Sequence, residues 1–396
     1  MQHGFMSNKS TVTNLLEHAQ DIADGIDRGD QIDTLFLDMS QAFDKVNHKR
    51  LLDRLSQIGV RGHFLQWFKS YLASRKVCVV FNGSTSDPFF PSSGVPQGSV
   101  IGPLLFIIYI NPIFNLAGDC TVSGYADDLK IKRVINSIDD VTDLERQTDF
   151  IVDWCGENGL TVNSTKCAAI TFSTSLSPII HQYVLNGNQI ERSQQFRDLG
   201  VIFDVNCKFV HHLAHISRKA YRMLGFLIRS SRWLRDLNTV IFLYNSLVRS
   251  QLEYACQIWN PFTNILQMKL EAVQRRFSRF VFRKFNIPYT DYEQRLYILE
   301  LESLQHRRNV ADLLLLYKIV NGTVQTRCIR DICIRRRQRN IRNMELFGIR
   351  TLRHNISFHS PLPRMMRLYN RCFKNEYLFN LSFKEYVTRV KQLNFS

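Results

Sequence analysis

An α+β fold is predicted for this chain, with strands and amphipathic helices intermixed over the first half and helices almost alone thereafter. Two observations carry that prediction. Some segments repeat apolar residues at helical spacing, while others are short apolar or β-branched runs bounded by turn residues. From about residue 208 the pattern turns helical, with arginines set between aromatic and aliphatic positions, and this composition shift places a domain boundary near 205. A length of 396 residues with 45% hydrophobic content suits two or three domains, each with its own core. The division predicted is 1–205, 206–325 and a more strongly basic region at 326–396, whose stretch from 327 to 353 reads as a surface face or a connection.

Residues 10–29 carry Val12, Leu15, Leu16, Ala19, Ile22 and Ile26 at helical spacing, with Ser10 or Thr11 as cap and Gly29-Asp30 as the stop. The apolar run TLFLDMS (34–40) is a strand, followed by helices at 47–58 and 63–72. KVCVVFNGSTSDPFF gives two strands about an Asn82-Gly83 turn. A loop at 92–99 leads into VIGPLLFIIYI, a buried helix too short to span a bilayer and bracketed by Gly102-Pro103 and Asn111-Pro112. A hairpin containing VSGYADDLKI, a helix at 139–158 and strands at 160–162 and 168–172 follow. No repeat of fixed period occurs, which excludes solenoid architectures.

Lysine and arginine outnumber the acids 51 to 35, for a net charge of +16 and a pI near 9.6, which suits a polyanion such as nucleic acid. An anionic membrane surface fits the charge too, but no run of about 18 apolar residues exists to enter the bilayer. The first ten residues have no basic region followed by an apolar core, so no secretory signal is predicted. Nine cysteines scattered singly read as buried thiols of a reducing compartment. The grouping Cys328, Cys333, His354, His359 and Cys372 departs from structural zinc spacing and reads as unrelated side chains.

Asp38 closes an apolar strand, and Asp127 and Asp128 sit at a hairpin turn. Three carboxylates delivered by adjacent strand ends can hold two divalent cations, the arrangement of phosphoryl-transfer polymerases and nucleases. Each acid alone also has a plainer reading. Asp-Asp marks a turn, and Asp38 caps a following helix.

The combination is more specific. FLDMSQAFD (36–44), SSGVPQGSVIGPLLF (92–106) and YADD (125–128), in that order and spacing, resemble the three central palm motifs of reverse transcriptases. The resemblance implies a right-hand polymerase palm, a small antiparallel sheet backed by helices, with partial fingers before it and a helical thumb and C-terminal region after it. It implies that Asp38, Asp127 and Asp128 form the catalytic metal site for two Mg2+ ions, with Mn2+ as a substitute. Phe43 falls where the family carries a bulky residue beneath the sugar of the incoming nucleotide, which selects deoxynucleotides. Asp44 is read as a structural hydrogen-bonding acid. Pro96, Gln97 and Gly98 belong to the loop that lies against template and nucleotide. Lys166, in GLTVNSTKC, matches the lysine that protonates or balances the leaving pyrophosphate. FRDLGVIFD (196–204) resembles the primer grip, with Leu199 and Gly200 at its centre.

LVRSQLEYACQIWNP, LEAVQRRFSRFV and YEQRLYILELESLQHRRNVADLLLLYKIVNG resemble the thumb of animal non-LTR (LINE-type) enzymes of the jockey group, with Arg249, Arg275, Arg276, Arg307 and Arg308 as phosphate contacts and Tyr254, Trp259 and Phe277 as core. The partners so implied are an RNA template, a DNA primer and deoxynucleoside triphosphates, with no membrane. QHGFMSNKST resembles a fingers motif, yet it begins at residue 2, so an N-terminally truncated enzyme is expected, without the earlier fingers strands or an endonuclease and with diminished activity. Two functional readings follow: an RNA-directed DNA polymerase, or a non-catalytic RNA- or DNA-binding remnant of one. The family's way of life implies nuclear action, with the cytoplasm as a further site, and Arg335 to Arg339 is a weak import signal.

Overall fold

The computed structural model describes residues 1–73, 75–116, 118–335, 345–374 and 376–395. The chain forms two compact units, one of residues 1–14 and 29–194 and the other of residues 15–28 and 195–396. The division therefore falls before the hairpin that precedes the helical run, and the first long helix, α1 (Thr11–Arg28), gives its first residues to one unit and the rest to the other.

The first unit continues with β1 (Gln31–Leu37), α2 (His48–Gln57), α3 (Gly62–Ala73), β2 (Val80–Phe81), β3 (Ser84–Thr85), α4 (Gly102–Ile110), β4 (Thr121–Tyr125), β5 (Asp128–Ile135), α5 (Ile138–Glu157), β6 (Ala168–Phe172), β7 (Val184–Leu185), β8 (Asn188–Gln189) and β9 (Glu191–Arg192). Five strands make the main sheet in the order β4-β5-β1-β6-β9. The first four pair antiparallel, as expected, while β9 joins β6 in parallel. Strand 160–162 does not form; Val162 makes one isolated bridge to Met39.

Leu35 and Leu37 on β1, Val122 on β4 and Leu129 and Ile131 on β5 turn one face of the sheet into a shared core with Phe106, Tyr109 and Ile110 of α4 and Leu144 and Ile151 of α5. Helix α4 is apolar nearly all round because it is buried nearly all round. Helix α5 starts at a reciprocal cap, in which Asp140 N–H donates to Ser137 Oγ (3.3 Å) and Ser137 N–H to Asp140 Oδ2 (3.1 Å). Asn47 caps α2 through Arg50 N–H (3.1 Å). No helix begins at Asp38, so capping does not account for that acid.

The second unit holds most of α1 and then β10 (Gln195–Asp198), β11 (Val201–Asp204), α6 (Val210–Ser230), α7 (Leu237–Tyr244), α8 (Ser250–Glu253), α9 (Cys256–Trp259), α10 (Asn264–Lys284), α11 (Tyr292–Ile298), α12 (Leu304–Val320), β12 (Cys333–Ile334), β13 (Phe347–Gly348), α13 (Asn355–Phe358), α14 (Pro361–Phe373) and α15 (Phe383–Lys391). Its interior includes charged groups. Arg308 and Asp312 are fully buried, and Asp312 accepts from Arg364 Nε (2.9 Å) and Asn260 Nδ2 (3.0 Å). Of the arginine stretch 335–339, only Arg335 lies among the described residues. No helix among the described residues is long and apolar enough to cross a membrane.

Candidate active site

In the sheet register Leu37 pairs with Leu129, so β1 ends beside the β4–β5 turn and hands Asp38 to that turn. Tyr125 and Asp128 close the turn, leaving Ala126 and Asp127 as its two central residues. Ala126 has φ +58°, a left-handed conformation that non-glycine residues disfavour and that persists only where the surroundings over-determine it.

Asp127 is half-buried, and its carboxyl lies above the usual carboxylate range, first through loss of solvent and then through the charge of Asp38, with a backbone hydrogen bond opposing. Oxygen Oδ2 of Asp38 is shielded from solvent and accepts no hydrogen bond. Lys166 Nζ stands 3.4 Å from it, close enough for charge attraction but too poorly aligned to donate. The single-turn helix Ser164–Lys166, capped by Asn163, places that lysine, and Asn163 N–H in turn donates to the Asp38 carbonyl (2.8 Å).

The structure thus brings Asp38, Asp127 and Lys166 together. Asp128 is exposed at the start of β5. No group of three His, Cys, Asp or Glu side chains among the described residues forms a metal cage. The expected three-carboxylate cluster is not assembled in this form of the chain. A half-buried carboxyl whose charged form is disfavoured by burial and by Asp38, beside a carboxylate oxygen that accepts no hydrogen bond, is nonetheless a donor set suited to a cation. Mg2+ usually takes only one or two protein carboxylates and completes its shell with water and substrate phosphates.

Phe43 is half-buried and stacked on Phe106 (centroids 4.1 Å, 17° between planes), with Phe5 edge-on at 6.2 Å. The 92–99 loop is tied to the same segment: Val95 N–H donates to the Phe43 carbonyl (2.9 Å), Gly94 N–H to the Val46 carbonyl (2.8 Å) and Ser93 Oγ to the Asp44 carbonyl (2.8 Å). Glycine is required at 94, where φ is +84° and a Cβ would sit 2.8 Å from Asp44 Cα. Gln97 and Gly98 are exposed and Pro96 is half-buried. The Gln97 amide donates to Asp44 Oδ1 (2.7 Å), so Asp44 orients the loop.

Leu199 and Gly200, both at positive φ, form the two-residue turn between β10 and β11 in the second unit. Tyr254 braces it by donating from its hydroxyl to the Leu199 carbonyl (2.9 Å); this residue, expected in the core, is 43% exposed. Trp259 and Phe277 are buried. Arg308, expected to contact phosphate, is enclosed and donates to Asn260 Oδ1 (3.1 Å) and Gln305 Oε1 (2.7 Å). Helical spacing alone does not distinguish a solvated arginine from one buried with partners.

A half-buried carboxyl pair at a strand end and hairpin, an aromatic floor and a glycine-shaped loop thus lie together in the first unit. The sequence profile described as reverse transcriptase (RNA-dependent DNA polymerase) matches residues 1–227, and the chain belongs to that family. The family generally uses divalent metal ions. The chain is 28% identical over 289 residues to the RNA-directed DNA polymerase from mobile element jockey of Drosophila funebris, an alignment covering 70% of this chain and 31% of that protein. Against the probable RNA-directed DNA polymerase from transposon BS of Drosophila melanogaster it is 27% identical, covering 71% and 32%. Against that from transposon X-element of the same species it is 25% identical, covering 71% and 31%. These relatives are polymerases of non-LTR retrotransposons, and the chain spans about a third of their length. Apo telomerase from Candida tropicalis overlaps 74% of this chain and 50% of its own at a TM-score of 0.38 and 10% identity, too loosely to transfer anything to this chain.

Proposed function

We propose that this chain performs RNA-directed DNA synthesis, extending a DNA primer on an RNA template with deoxynucleoside triphosphates. The observation that carries the proposal is the donorless Asp38 Oδ2 set against the Asp127 carboxyl. In this reading Asp38 and Asp127 hold two Mg2+ ions, with Mn2+ as a substitute, and Asp128 completes the ligand set when nucleotide phosphates are present. Bound magnesium supplies charge neutralisation for the attacking and leaving oxygens. The primer 3′-hydroxyl gives up its proton to solvent as its oxygen bonds to the α-phosphorus, the bond to the bridging oxygen breaks, and pyrophosphate departs. Lys166 places its Nζ charge where pyrophosphate leaves. Phe43, held flat by Phe106, excludes a ribose 2′-hydroxyl. Pro96, Gln97 and Gly98 meet the template base and nucleotide, with the Gln97 side chain held by Asp44. Leu199 and Gly200 hold the primer end.

The same reading assigns 1–205 to partial fingers and palm, 206–325 to the thumb and 326–396 to a basic C-terminal region, acting in the nucleus. The test is primer extension on an RNA template with magnesium, comparing the chain with an Asp127→Ala, Asp128→Ala variant at matched RNA binding. Extension by the parent alone is expected. No extension by either, with RNA binding intact, would instead favour a non-catalytic nucleic-acid-binding protein.

A further inference from the structure

We propose that Gln2 is a positioning residue for Asp127, gripping through its side-chain amide the turn that carries the carboxylate; the inference rests on the polymerase reading of that turn. Gln2 is 5% exposed and lies beside β4, where it bridges to Gly124. Its Oε1 accepts from three backbone N–H groups, those of Ala126 (3.0 Å), His3 (2.9 Å) and Gly4 (2.8 Å). Its Nε2 donates to the Ala126 carbonyl at 3.3 Å. One side chain thereby satisfies both backbone polar groups of the left-handed residue next to Asp127. An amide does this with two separate atoms, whereas a carboxylate cannot donate and an apolar chain does neither.

Gly4 supports the same contact from the other side. A Cβ there would fall 2.4 Å from the Ala126 nitrogen, so the segment lies against the turn at a distance only glycine allows. The grip is separable from the strand pairing. Gly124 N–H donates to the Met1 carbonyl (3.0 Å) without the Gln2 side chain, and His3 N–H, shared with Gln2 Oε1, also donates to the Gly124 carbonyl (2.9 Å). Removing that side chain leaves the segment paired with β4 but frees Ala126, and the direction in which Asp127 points is then no longer fixed.

The test compares the full chain with Gln2→Met, which keeps length and loses both bonding capacities, and with Gly4→Ala, which pushes the turn while leaving the amide intact. Three readouts besides melting temperature are needed: hydrogen exchange in peptides spanning 124–129, Mn2+ binding by electron paramagnetic resonance with Asp127→Ala as background, and kcat and KM in primer extension. Both variants are expected to melt cooperatively, to exchange faster at the turn, to bind Mn2+ about tenfold more weakly and to lose about 10- to 100-fold in kcat, the scale of an ångström's misplacement. The KM for primer–template should stay unchanged. Parental Mn2+ binding and kcat in a folded Gln2→Met would overturn the proposal. So would unfolding of both variants, which would show the segment holding the sheet rather than the turn. If the parent extends no primer, the polymerase reading fails on its own, while exchange and Mn2+ binding still decide the role of Gln2.

Discussion

Replacing Phe43 with alanine separates two consequences of one ring. Phe43 stacks on Phe106 at 4.1 Å and meets Phe5 edge-on at 6.2 Å, so it is fixed from below and from one side. Full truncation of a buried phenylalanine costs about 3–5 kcal/mol. Half-burial brings the expected loss for Phe43→Ala to roughly 1.5–2.5 kcal/mol, enough to lower the denaturation midpoint without abolishing folding. The effect on selection is larger in kind. Forcing an extra group against a ring that cannot retreat costs about 1–3 kcal/mol, and tenfold per 1.4 kcal/mol converts this to roughly 5- to 150-fold in kcat/KM. Single-nucleotide incorporation, ribo- against deoxynucleoside triphosphate, should show discrimination falling by that factor in Phe43→Ala, with the deoxynucleotide kcat/KM changed only a few-fold. A folded variant that rejects ribonucleotides as well as the parent does would refute the assignment of the ring as a sugar gate.

Two further predictions concern the second unit. Burial lowers the His212 pKa to about 4, and its Nδ1 accepts from Ile202 N–H (3.3 Å), so the folded ring is neutral. Because the folded value lies below the unfolded one near 6.5, stability is intact above about 6.5 and is lost as pH falls toward 4, by no more than about 3 kcal/mol. Urea titrations from pH 7 to 4 should show that slope flattened in His212→Gln; an unchanged slope would exclude His212 as its source. Asp312→Asn removes the fully buried charge facing the partly buried Arg364 (2.9 Å) and should cost about 3–5 kcal/mol in denaturant unfolding, whereas a loss under about 1 kcal/mol would mean the network is compensated elsewhere.

Much of this architecture is local in origin and was therefore legible in the sequence. The helix start near Asn47, the Asn82-Gly83 turn, the apolar α4 and a hairpin turn at Asp127 each follow from residues within one turn or one strand pair, although the turn centres on Ala126-Asp127 rather than on the two acids. What escaped was long-range. Gln2 meets Ala126 across 124 positions, and Glu17 Oε2 meets Arg327 Nε (2.9 Å) across 310. Neither partner carries a local mark of the other. Parallel pairing of β9 escaped because a two-residue strand has no readable alternation. Lys166 was identifiable by motif, but its closeness to Asp38 depends on how the chain leaves Val162 for its one bridge to Met39.

The basic composition shows how far charge counting reaches. Five arginines of the helical half were candidates for phosphate, and folding divides them. Arg308 is enclosed, Arg307 is held by Glu253 (Nη2 to Oε2, 3.0 Å) and Glu302 (3.0 Å), and Arg249 stands 3.7 Å from Glu253. Arg275 and Arg276 instead lie over the rings of Tyr292 (4.8 Å) and Tyr221 (5.8 Å), arrangements that spend no carboxylate and leave the cation's charge uncancelled. Of the five, these two keep the charge a polyanion needs, and Arg276 is the exposed one. Net charge thus suits a polyanion, while the ion pairs decide which residues are left to meet one.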